Sequence, residues 1–174
     1  MTAKELIREA QAGNFETLLQ AIIDGQDINC ANRYGVTPLM AAALSGRPRA
    51  VEILLAGGAS VESKECSFGC AALMFACMSG NEEVVRLILS HGARVDCADT
   101  TGRTPLMVAA AMGKARIVNI LLGHGADVNL RNRFGATALD LADRNGNAGI
   151  AALLVANGAA LVERDPAVAV TAIV

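Results

Sequence analysis

Apolar and polar positions alternate along this chain in a helical rhythm broken at regular intervals by glycine. In PRAVEILLAG, residues 48–57, Val51, Leu54 and Leu55 fall at i, i+3 and i+4, which puts them on one helical face. The stretch before it, TPLMAAALSG at 37–46, is apolar almost throughout. Thr37 is placed to cap a helix with its hydroxyl, and Pro38 suits the first helical position, where no N–H is needed. Gly46 ends this first helix, and Gly57-Gly58 ends the second, since glycine tolerates the left-handed conformation at a helix C-terminus. The connection that follows, ASVESKECSFG, predicts no helix. Asn, Asp and Gly recur in the corresponding connections NRYG and NRFG, as an extended turn requires.

The same pattern returns along the chain. Leu39 in GVTPLMAAALSG has counterparts at Leu73, Leu106 and Leu139, at steps of 34, 33 and 33 residues, and one step back lands on Leu6. Gly13, Gly46, Gly80, Gly113 and Gly146 close the first helices, and Gly25, Gly58, Gly92, Gly125 and Gly158 close the second. One helix pair cannot bury its own apolar face, so five such units in phase predict a stacked array with a continuous core. The expected units are about 1–31, 32–65, 66–98, 99–131 and 132–160, followed by an apolar tail at 161–174.

The residues Thr37-Pro38-Leu39 and Thr104-Pro105-Leu106 carry a recognisable signature. So do the paired alanines Ala41-Ala42 and Ala109-Ala110, the V-x-x-L-L positions Val118, Leu121 and Leu122, and GADVN at 125–129. In these the chain resembles the ankyrin repeat family. The resemblance implies an all-α solenoid of helix-turn-helix units joined by finger-like β-turn connections, with the first and last units as caps. It also points to departures. Met40, Met74, Met107 and Asp140 stand where the family carries a histidine that ties the turn down. Methionine keeps the volume without the hydrogen bonds, so apolar packing is expected in their place. The third unit has Ala71-Ala72 for Thr-Pro, and its extra residue is expected near Glu62 to Glu65.

Composition narrows the functional classes. The chain is 53% hydrophobic but 3% aromatic, as suits helices packed through small residues. A net charge of -2 and a pI near 5.7 give no footprint for nucleic acid or an anionic membrane, so neither is expected as a partner. No apolar run approaches the roughly 18 residues of a membrane span, and MTAKELIREAQAGN reads as neither signal peptide nor anchor. Five cysteines, an odd count, speak against a disulfide scaffold and for a reducing, cytoplasmic setting.

Three of the cysteines, Cys66, Cys70 and Cys77, lie within CSFGCAALMFACMSG. A structural zinc site wants four ligands; this spacing supplies three, and the repeat register separates them. It sets Cys66 beside Asp99 and Asn132 as a turn residue, Cys70 beside Val36 and Arg103, and Cys77 at a small core position. Cys30 and Cys97 read as core residues. No metal or cofactor is therefore expected, with a metal- or redox-responsive role as the least favoured reading. His91 and His124 precede Gly-Ala at helix ends and read as caps. Asp140, Asp143 and Arg144 read as a solvated face. No nucleophile motif, metalloprotease motif or phosphate loop occurs, so the chain is not expected to be an enzyme.

The resemblance implies binding of another protein or peptide on the concave face built from fingers and inner helices. Carried over by register, the candidates on the fingers are Arg33, Tyr34, Val36, Ser67, Phe68, Cys70, Thr101, Arg103, Arg133 and Phe134. Those on the inner helices are Leu44, Met78, Met112 and Arg144. Aromatic, thioether and arginine side chains together suit an apolar segment with acidic flanks, bound by an adaptor or inhibitor. A second reading is a scaffold that self-associates through its last unit. There Ala148, Gly149, Ala152 and Ala156 read as a bare outer face, and residues 161–174 as a lid or a contact. A monomer is otherwise expected.

Overall fold

The computed structural model describes residues 1–160, and the predicted tail at 161–174 lies outside them. Among the described residues ten helices follow one another in five pairs. The inner layer is α1 (Ala3–Ala12), α3 (Pro38–Leu44), α5 (Ala72–Ser79), α7 (Pro105–Ala111) and α9 (Ala138–Arg144). The outer layer is α2 (Phe15–Ile23), α4 (Pro48–Ala56), α6 (Glu82–Ser90), α8 (Ala115–Gly123) and α10 (Ala148–Ala156). Each helix packs on its partner in the unit and on its equivalents in neighbouring units, as a solenoid requires. Leu6, Leu39, Leu73, Leu106 and Leu139 are all buried, so the in-phase leucines are the spine of one continuous core.

Local chemistry fixes where the inner helices start. The hydroxyls of Thr37, Thr104 and Thr137 accept from the N–H groups of Met40, Met107 and Asp140 at 3.3, 3.3 and 3.2 Å. Ala71 offers no such oxygen, and α5 begins without a side-chain cap. Methionine at the family's histidine position is buried in each case, as expected. Met40 also does more than pack, because its Sδ lies 3.5 Å from the Thr37 N–H as a weak acceptor. Asp140 departs further from expectation. Its carboxylate accepts from both the N–H and the hydroxyl of Thr137 at 2.9 Å, so it completes a helix cap and is not merely a solvated charge. Burial pushes its carboxyl up, but the Thr137 bonds outweigh this and hold it below the usual range.

Two further expectations need correction. The extra residue of the third unit sits inside the turn, not before it. Asn32, Asp99 and Asn132 each accept from backbone N–H groups two and four residues on. In the third unit the equivalent acceptor is Glu65, which takes Ser67, Phe68 and Cys70 N–H at 2.6, 2.6 and 3.2 Å. Glu65, and not Cys66, is thus the turn residue, and Ser67 is the insertion. The positions read as a bare outer face are exposed as expected, but they do not mark the end of the array. Ala148, Gly149, Ala152 and Ala156 match Ala115, Arg116, Asn119 and Gly123, which face solvent inside the array as well. The face turned toward the array's end is instead mixed. Asp140, in register with buried Met40 and Met107, is half-buried there, and Val155, in register with buried Leu55 and Leu89, is 38% exposed.

Candidate functional site

Four turns protrude as fingers, and one backbone hydrogen bond joins each to the next. Cys66 N–H donates to Tyr34 O at 2.8 Å, Thr100 N–H to Phe68 O at 2.7 Å, and Arg133 N–H to Thr101 O at 2.9 Å. The approach is close enough that a Cβ on Gly35 (φ +75°) would come within 3.0 Å of the Cys66 nitrogen. Tyr34, Phe68, Thr101 and Phe134 hold one register position on these fingers. Tyr34, Phe68 and Phe134 are exposed at 48%, 59% and 79%.

Seven of the fourteen predicted residues meet around one hollow of about 430 Å3. Tyr34 and Val36 line it from the first finger, Ser67 and Phe68 from the second, Met78 from α5 and Arg103 from the third finger, while Cys70 lies buried at its base. Two lining residues escaped sequence reasoning: Phe75, half-buried on α5, and Glu65. A signal for Phe75 was available, because its register partners are the smaller Ala41, Val108 and Leu141.

The other seven candidates are not gathered there. The Arg33 guanidinium stacks 4.6 Å from the Tyr34 ring centroid and donates to its hydroxyl, so it flanks the hollow through Tyr34. Leu44, Met112 and Arg144 are exposed at the inner helices, and Arg133 and Phe134 on the last finger. Thr101 turns its hydroxyl inward, donating to Asp99 at 2.7 Å.

The charges of this face are unevenly spent. Burial pushes the Glu65 and Asp99 carboxyls up, yet both end below the ordinary carboxylate range because of what they accept. Glu65 takes the backbone bonds already described. Asp99 accepts from Thr101, and its Oδ2 also takes Arg103 Nε at 2.8 Å. Both acids are buried, whereas Arg33 and Arg133 are exposed. The accessible charge on these fingers is accordingly positive.

All five cysteines are free thiols. Cys77 and Cys97 are core residues as expected, whereas Cys30 is only half-buried. Burial pushes the Cys97 thiol up to about 11 and that of Cys77 well beyond the usual range. Burial also raises Cys70, and Cys66 alone is exposed. With 5,5′-dithiobis(2-nitrobenzoate), Cys66 is expected to react first in the native chain, and Cys66→Ser to remove that phase. A fast phase surviving the substitution would contradict this placement. No group of three or more His, Cys, Asp or Glu among the described residues is arranged to hold a metal. His91 and His124 cap helix ends as predicted, with Nδ1 2.9 and 2.8 Å from the Leu87 and Ile120 carbonyl oxygens.

Two family models match the chain. One, ankyrin repeats (3 copies), covers residues 6–99, and the other, ankyrin repeats (many copies), covers 88–142. The chain is an ankyrin-repeat protein. No curated protein matches it. Ankyrin repeats generally serve as protein–protein interaction modules, and members of the family are typically not enzymes. Within this ankyrin array, the hollow centres on the third unit, the one that departs most from the family pattern. No helix among the described residues is long and apolar enough to cross a membrane.

Proposed function

We propose that this ankyrin array is a non-enzymatic module that binds a protein or peptide segment across its finger and inner-helix face, as an adaptor or inhibitor. The observation that supports this most is the hollow beneath the second finger, continuous with exposed Tyr34 and Phe68 and edged by arginine. Exposed apolar patches of this kind mark interaction sites, and aromatic and arginine side chains are the usual anchors of interfaces. The fingers are tied to one another and the inner helices are packed, so the face is organised before any partner arrives and little ordering entropy is lost on binding.

The test is capture from native lysate by the intact chain, with quantified recovery of whatever binds. Phe68→Ala/Met78→Ala is expected to lose the captured protein, with affinity falling about tenfold or more. Arg86→Glu on outer helix α6 is expected to retain it. Loss through the α6 variant together with full capture by the double variant would overturn this reading.

A further inference from the structure

We propose that the hollow under the second finger is an anchor subsite for one large apolar side chain of a linear peptide, with an acidic residue of that peptide held beside it. This rests on the reading of the face given above and adds which chemistry it selects. Three features of this chain build the subsite. Ser67 lengthens the second finger by one residue relative to the other fingers. Phe75 sits where neighbouring units carry Ala41, Val108 and Leu141, and gives the hollow an aromatic wall. Met78, half-buried on the same helix, adds a polarizable thioether that adapts to the shape of its occupant.

The size of the hollow, about 430 Å3, lies toward the lower end of ligand pockets. It opens onto the exposed Tyr34 and Phe68 rings and is not sealed around a ligand. That form suits a side chain projecting from a peptide laid across the fingers. Charge complementarity fixes the neighbour. Glu65 reaches the hollow, but its carboxylate is buried against three backbone N–H groups and presents no free anion. Arg103 lines the hollow with a side chain 41% exposed, its Nε held by Asp99, and the exposed Arg33, which no carboxylate pairs among the described residues, stands on the Tyr34 ring that also lines the hollow. An extended peptide advances about 3.3 Å per residue, so an Asp or Glu within about three residues of the anchor reaches these cations. A basic segment meets repulsion at the same rim.

The probe is a displayed library of random peptides about twelve residues long, selected on the full chain. Enriched peptides are expected to share Phe, Leu, Met or Trp with Asp or Glu within three positions. Their affinity is expected to fall at least about tenfold with Phe68→Ala or Phe75→Ala, and severalfold with Arg33→Glu, the last effect shrinking at high salt. Phe68 is exposed, so its substitution leaves the fold intact even where Phe75→Ala perturbs packing. Enriched peptides that ignore both phenylalanine substitutions and respond to Phe134→Ala or Met112→Ala would overturn the anchor while sparing the broader binding face. Peptides lacking acids and indifferent to Arg33→Glu would overturn its charge selectivity. Failure of any peptide to enrich would also overturn the subsite, and the lysate capture would then judge the broader reading by itself.

Discussion

Leu73→Ala is expected to lower the unfolding free energy by about 2–5 kcal/mol, the range for removing a fully buried leucine and leaving part of its cavity behind. Leu73 has 0% exposure and belongs to α5, which packs on α3 before it and α7 after it. Stability in such an array is close to a sum over units and their interfaces. A cavity in the middle unit therefore weakens the coupling between the two halves as well as one core. Urea unfolding should show an earlier midpoint and a broader transition than the native chain. Leu44→Ala, at 47% exposure on the preceding inner helix, should change stability by less than about 1 kcal/mol. Near-equal effects of the two substitutions would mean that the in-phase leucines are not the spine of the fold.

Glu65→Ala is expected to cost about 3 kcal/mol, because it strands backbone N–H groups of Ser67, Phe68 and Cys70 around a buried site. Glu65→Gln should cost less, since an amide oxygen still accepts. The pH dependence has a definite sign. The Glu65 carboxyl is held below its ordinary value in the folded chain, so its contribution is complete above the unfolded value of about 4.3 and fades as pH falls through the lower folded value. Asp99 and Asp140 are lowered in the same direction and add to this loss in acid. Acid titration of Glu65→Gln should accordingly show a shallower fall in stability than the native chain. An unchanged profile would remove Glu65 from the turn's support.

How much of this was legible in the sequence follows from what repeats. The leucine and glycine phases recur in every unit, and they carried the helix pairs, the core and the family. The step of 34 residues announced one extra residue but not its place. Placement was decided by side-chain reach. Glutamate is one methylene longer than the aspartate and asparagine of the other turns, so Glu65 spans a turn that has grown by Ser67. Register counted back from Leu73 therefore landed on Cys66 instead. Phe75 escaped for a different reason. The α5 segment ALMFACMS is apolar on all sides, so periodicity offers no face to read. The exposed small residues of α10 say little about the array's end, because the matching positions of α8 face solvent as well.

The central claim is that partners rest on the finger and inner-helix face, and methyl NMR of the methionines and isoleucines tests it most directly. Met78 and Met112 report on that face, Met40, Met74 and Met107 on the core, and Ile23, exposed on outer helix α2, on the opposite layer. On titration with the protein captured from lysate, the Met78 and Met112 methyl signals are predicted to shift or broaden while Ile23 stays in place. Movement of Ile23 with Met78 and Met112 unchanged would contradict the account.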